Sequence, residues 1–176
     1  FKNECNPDDL MIFSFYPTKP IGGLDGGIIV SDNKDKIEHI REMSLNGMAL
    51  NQDNWNKVIK FPGYKMYMNS VQAQLILNNF RTYQTKLKKL KAVRKIYNEA
   101  FGINNFSNHL YRINVENRDN LIKHLKDKNI ICGVHYLALH KHKVYKLSSE
   151  VLPNTEKVEK STISIPFSPY ILYINF

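Results

Sequence analysis

Cysteine is almost missing from this 176-residue sequence: Cys5 and Cys132 are the only two, far apart and in no CxxC or CxxH pattern. Their scarcity excludes a disulfide framework and a cysteine-built zinc site, and the simplest home for such a chain is a reducing cytoplasm. No run approaches the ~18 consecutive apolar residues that cross a bilayer, so no membrane-spanning helix is expected. The start, Phe1-Lys2-Asn3-Glu4-Cys5, lacks the basic-then-apolar order of a signal peptide and does not begin with Met, which suggests a chain missing its beginning. Neither a Walker phosphate loop nor a dinucleotide glycine fingerprint is present. Acidic residues are the minority, 16 against 25 Lys and Arg.

What is there begins with that surplus, a net charge of +9. It fits a nucleic-acid partner or an anionic small substrate. The densest run, Lys86-Leu87-Lys88-Lys89-Leu90-Lys91, interleaves leucines at helical spacing and reads as a solvated helix face. No helix-turn-helix, RNP or zinc-finger pattern accompanies it, so no nucleic-acid partner is expected. An apolar fraction of 43%, with ten Tyr and nine Phe, is enough to bury a core.

Periodicity divides the chain. Met11 to Phe15 reads as a short strand ending at Pro17, and Ile28-Ile29-Val30 as a second strand beyond a glycine-rich turn. Ser31-Asp32-Asn33 is an N-cap cluster for a helix reaching Ser44, with Ile37, Ile40 and Met43 on one face, and Asn46-Gly47 stops it. Residues 46–67 are polar and irregular, around Trp55 and Pro62-Gly63, and a loop of that length is usually functional or an interface. From Asn69 a long helical region is predicted, its stripe running through Val71, Leu75, Ile76 and Phe80 and on through Leu87, Leu90, Val93, Tyr97 and Phe101. That stripe is expected to pack on a three-stranded α/β unit: strands at His109–Val115, Ile130–Tyr136 and Ile163–Pro166, a helix at Arg118–Lys128, and a short helix near Glu156–Lys160.

Two places carry candidate chemistry. Lys19 sits at a strand-to-turn junction between Pro17 and Pro20, with glycines just beyond and Ser14 upstream. Fixed backbone on both sides holds an amine at one point, where it can act as a nucleophile; glycines let a flat ring approach. The plainer reading is a surface lysine in a hairpin turn. Farther on, His135, His140 and His142 could form a metal cluster, but no carboxylate at useful spacing joins them and a polar loop is the simpler reading, so no metal is expected.

The string Ser14-Phe15-Tyr16-Pro17-Thr18-Lys19, followed by Gly22 and by Asp25-Gly26-Gly27 before an apolar strand, resembles the lysine motif of the DegT/DnrJ/EryC1/StrS sugar aminotransferases. Two more stretches are similar in the same order. Gly63-Tyr64-Lys65-Met66-Tyr67-Met68, followed by Gln72-Ala73, resembles the family's GYNYRM-x-x-x-QAA segment. Ile130 to His140 resembles its GI-x-x-x-x-HY-x-P-L-H loop, with Ala138 where Pro is usual, and Ile163-Ser164-Ile165-Pro166 resembles its closing L-x-L-P strand.

The resemblance implies an α/β fold: the C-terminal portion of a fold-type I, aspartate aminotransferase-like enzyme of pyridoxal 5'-phosphate (PLP). Residues 1–67 would be the end of the large domain, and residues 68–176 the linking helix and small domain. It implies that Lys19 binds PLP covalently and shuttles protons, that Ser14 bonds the cofactor phosphate, and that Lys65, at the place of a cross-dimer asparagine, reaches the partner subunit's phosphate pocket. Tyr67 stands where the family has arginine, so no guanidinium role carries over. His135, Tyr136 and His140 would line the substrate entrance. The implied reaction moves an amino group, with glutamate as donor, onto a nucleotide-linked keto sugar in a homodimer, and the basic charge suits a diphosphate. The family's first half, with its aspartate for the pyridine nitrogen, does not precede Phe1. A catalytically silent fragment, or a binding protein that keeps the fold without the chemistry, therefore stays open as the alternative.

Overall fold

The computed structural model describes residues 6–51, 55–145 and 151–171. They form two compact units that divide between Tyr83 and Gln84.

In the first unit, β1 (Met11–Ser14) pairs antiparallel with β2 (Gly27–Val30), Met11 opposite Val30 and Ser14 opposite Gly27. The connection between them is folded on itself by backbone bonds: Phe15 N–H to the Gly26 carbonyl at 2.8 Å, Gly23 N–H to Phe15 at 2.8 Å, and Lys19 N–H to Tyr16 at 2.9 Å. Helix α1 (Lys34–Ser44) starts where Asn33 takes the Lys36 N–H at 2.9 Å, as the sequence pattern predicts. It stops at Asn46 and Gly47, both left-handed at φ 63° and 74°.

The stretch read as irregular beyond Gly47, whose residues 52–54 lie outside the described ones, is tied down by backbone bonds on both its described arms. Asn46 N–H reaches the Tyr64 carbonyl, Tyr64 N–H the Met43 carbonyl and Met66 N–H the Ser44 carbonyl, and bridges join Leu45 to Lys65 and Met48 to Ile59. Glu42, 7% exposed, accepts from Lys60 Nζ at 2.6 Å and from Leu50 N–H at 3.3 Å. The lysine's hydrogen bond holds that carboxyl below the usual glutamate range. Helix α2 (Ser70–Arg81) opens with a reciprocal cap, in which Asn69 takes the Gln72 N–H and Gln72 takes the Asn69 N–H.

The helical stretch expected from Asn69 onward is broken at Thr82, whose hydroxyl bends back to the Asn78 and Asn79 carbonyls. The continuous stripe must be corrected accordingly. In α2 only Ile76 is buried, against the Gly23 turn of its own unit, while Val71 is 65% and Phe80 58% exposed. Apolar spacing alone could not show the break, since the polar residues between Phe80 and Leu87 keep the helical rhythm.

The second unit holds the rest of α3 (Tyr83–Phe101), then β3 (Tyr111–Asn114), α4 (Arg118–Asp127), α5 (Pro153–Ser161) and β4 (Thr162–Ile165). Strands β3 and β4 are antiparallel, with Tyr111 opposite Ile165 and Ile113 opposite Ile163. Here the predicted packing holds. Leu90 and Val93 of α3 are buried, as are Tyr111 and Ile163. Tyr97 meets Tyr111 edge-on at 4.9 Å and donates its hydroxyl to the Pro166 carbonyl at 3.0 Å. The expected third strand, Ile130–Tyr136, is reduced to one residue: Gly133 and Ser164 exchange both backbone bonds, at 2.9 and 2.7 Å. The Ile130 N–H is instead spent on Leu125 at the end of α4, and Ile131 is 72% exposed, so nothing on that side rewards a longer ladder.

Candidate active site

Lys19 is half-buried on the closed turn after β1. Its ammonium has no hydrogen-bond or ion-pair partner among the described residues. Ser14 is exposed at the end of β1, and its Oγ accepts the Tyr16 N–H at 3.3 Å, leaving the hydroxyl proton to donate outward. Gly22 shapes the turn: a Cβ there would stand 2.5 Å from the Pro17 carbonyl oxygen. Lys65, exposed, is held by its bridge to Leu45, and its ammonium lies 5.8 Å from the centre of the Tyr67 ring. The residue that replaces the family's arginine thus carries the lysine's charge over its face.

In the second unit, His135, Tyr136 and His140 border one cavity of about 620 Å³, closed on the other side by α5. Tyr136 is 75% exposed. The ring nitrogen Nδ1 of His135 is 2.9 Å from the buried Ser164 hydroxyl, and Nε2 of His140 is 3.4 Å from Glu156 Oε1. Beside it, Lys141 Nζ meets Glu159 at 2.6 Å and Glu156 at 3.7 Å. The His140 hydrogen bond, and then the Lys141 charge, hold the Glu156 carboxyl below its ordinary range, and Glu159 raises the lysine. The histidines therefore have separate partners, with His142 against the Tyr145 ring, and no group of three metal-ligating residues gathers among the described residues.

Sequence reasoning missed Glu156, Glu159 and Ser164. The two glutamates were legible in part, because a spacing of three on a helix puts both on one face. Which loop that face would meet was not. Cys132, half-buried, has its thiol pushed up by burial and is a poor nucleophile.

A lysine amine with no counter-ion among the described residues, on the turn after β1, and a serine hydroxyl with its proton left to donate, at the end of β1, are groups that fit an aldehyde-and-phosphate cofactor such as PLP. The described elements make an α/β chain, and the solved structures whose fold it shares are sugar aminotransferases of fold type I, matched over about half their length. The sequence profile of the DegT/DnrJ/EryC1/StrS aminotransferase family matches residues 2–172, and the chain belongs to that family. The spore coat polysaccharide biosynthesis protein SpsC of Bacillus subtilis is 29% identical over 191 residues, covering 92% of this chain and 49% of SpsC. The UDP-4-amino-4,6-dideoxy-N-acetyl-beta-L-altrosamine transaminase of Campylobacter jejuni is 29% identical over 177 residues, covering 90% of this chain and 47% of the relative. Helicobacter pylori PseC, an aminotransferase of pseudoaminic acid biosynthesis, shares the fold with a TM-score of 0.82 at 23% identity, over 91% of this chain and 48% of that one. The chain thus spans about half the length of the relatives it matches. Among the described residues no helix is long and apolar enough to cross a membrane.

Proposed function

We propose that this chain carries the lysine half of a PLP-dependent transaminase that moves an amino group from glutamate onto a nucleotide-linked keto sugar. The observation that carries the reading is Lys19, an amine with no counter-ion among the described residues, on the hydrogen-bonded turn that follows Ser14, in a chain of the aminotransferase family. Bound PLP supplies the electron sink that lets an amino group leave one carbon skeleton for another. Lys19 Nζ holds the cofactor, takes the α-proton of the donor and returns a proton to the acceptor carbon. Ser14 donates its hydroxyl to the cofactor phosphate. His135, Tyr136 and His140 meet the sugar substrate, and the nucleotide link is supported by the Campylobacter relative's UDP-sugar. We place the reaction in the cytoplasm, with neither membrane nor nucleic acid involved.

The test is 2-oxoglutarate formation from glutamate by the complete polypeptide, or by this chain complemented with the part of the relatives' length that it does not span. Formation that depends on a nucleotide-linked keto sugar supports the reading; none with any such sugar, in PLP-loaded protein, overturns it.

The same reading makes the enzyme a homodimer in which Lys65 acts in trans on the partner's cofactor phosphate. Its support is the exposed apolar surface on either side of Lys65, with Tyr64 59%, Met66 71% and Tyr67 53% exposed, of the kind that marks an interface. Lys65→Ala and Lys19→Ala subunits, each inactive alone, should recover activity when co-expressed, because the mixed dimer holds one site with both lysines. If the mixture stays as inactive as its parents, Lys65 does not act across the dimer.

A further inference from the structure

The Ser164 hydroxyl belongs to β4, on a residue only 4% exposed, and it touches one side-chain group among the described residues: His135 Nδ1, at 2.9 Å. The ring is held from two more directions. A Cβ on Gly133 would lie 2.8 Å from His135 Cε1, so the absence of a side chain there is what admits the ring. Gly133 itself is locked to Ser164 by the two backbone bonds, and the Tyr136 ring stands edge-on at 5.0 Å. Backbone register, a missing Cβ and a buried hydroxyl thus converge on one imidazole at the wall of the cavity.

This contact also decides where the ring carries its proton. If Nδ1–H donated to Ser164, the serine's own proton would be buried with no acceptor, since its hydroxyl makes no other hydrogen bond among the described residues. A buried donor left unmade costs more than the bond gains. If Ser164 donates to Nδ1, every buried group is satisfied and the neutral ring carries its proton on Nε2.

We propose that Ser164 is a positioning residue, fixing His135 in the Nε2–H tautomer so that the loop offers the substrate a hydrogen-bond donor rather than a base. The ligand atom this suits is an oxygen acceptor, a sugar hydroxyl, carbonyl or phosphate oxygen. The inference rests on the reading that His135 meets substrate, and it deepens that reading by assigning what the ring does there.

Two measurements separate the inference from the reading. Nitrogen-resolved NMR of the imidazoles in the unmodified chain, at a pH high enough for the rings to be neutral, should show His135 with its proton on Nε2. Ser164→Ala should mix the tautomers, and Ser164→Thr, which keeps the hydroxyl, should restore the single form. A proton found on Nδ1 in the unmodified chain overturns the proposal without any variant that must fold. So does a folded Ser164→Ala chain with its tautomer unchanged. The reading itself is tested apart, in the complete enzyme. His135→Gln, which keeps a donor amide, should raise KM for the sugar less than His135→Leu does; equal kinetics for both and for the wild type would remove His135 from the substrate and leave the tautomer result standing.

Discussion

Replacing Lys19 by alanine in the complete enzyme is expected to abolish amino transfer and, with it, the covalent attachment of PLP. On the proposed reading three functions are lost together, because one amine would bind the cofactor, take the donor's α-proton and give a proton back. General acid–base work alone contributes about 10²–10⁴-fold, so the loss of turnover should be at least of that order. Lys19→Arg separates charge from nucleophilicity: the guanidinium keeps the positive charge but is not a usable nucleophile or base. It should therefore be as inactive as alanine, although the turn keeps its backbone bonds from Phe15 to Gly26 and from Lys19 to Tyr16. Borohydride treatment followed by peptide mapping is the direct measurement, and the cofactor should be found on the peptide containing Lys19 and nowhere else. A Lys19→Ala protein that still yields a reducible adduct and still transaminates would remove Lys19 from the chemistry.

The second large effect concerns no chemical group at all. Gly47→Ala is expected to be among the most destabilising single changes in the first unit. At φ 74° an L side chain is strained, and a Cβ would stand 1.7 Å from the Phe61 carbonyl oxygen and 2.9 Å from its carbon. Backbone cannot swing away as a side-chain tip can. Gly102 provides the control. It too has positive φ, at 62°, but a Cβ there meets nothing within 4 Å. Gly102→Ala should cost only the conformational strain, about 1–2 kcal/mol. Gly47→Ala should cost roughly 4 kcal/mol or more, the range that marks a specific structural breakage. Against a typical total of about 5–15 kcal/mol this is enough to open the arms between Asn46 and Met66. Hydrogen exchange at the Lys60, Tyr64 and Met66 amides, which bond back to Gly47, Met43 and Ser44, reads the opening directly. Equal melting shifts for the two variants would show that the clash is relieved in some other way.

The sequence predicted well wherever one residue's own chemistry decides the outcome. Asn33 and Asn69 cap helices because a short side-chain oxygen reaches an amide three residues on, and both were legible as helix starts. Asn46-Gly47 stops α1 because both residues tolerate left-handed backbone. The lysine motif was legible as a likeness, and the turn that holds Lys19 follows from its prolines and glycines. What escaped was decided by partners distant in sequence. The strand expected at Ile130–Tyr136 depended on how much of β4's edge was open to it, and only Gly133 met Ser164. The break at Thr82 lies inside an unbroken helical rhythm. Glu156 joins His140 only because α5 folds against the 139–145 turns, and no spacing rule connects positions sixteen apart. The described arms of the 46–67 loop looked irregular because their order comes from cross-linking amides and Glu42, neither of which leaves a period in the sequence.

The Asn46-Gly47 stop has a consequence for how the protein ages. It is the sole Asn-Gly pair in the sequence, and that pair is the most prone to deamidate: the unhindered glycine nitrogen attacks the asparagine amide, ammonia leaves, and water opens the ring to aspartate or isoaspartate. Attack needs that nitrogen to be free. In the fold it donates to the Glu42 carbonyl at 2.8 Å, and the glycine is buried. Each molecule is thus protected while folded and vulnerable while open, so isoaspartate at this one position accumulates as a record of the time a preparation has spent unfolded.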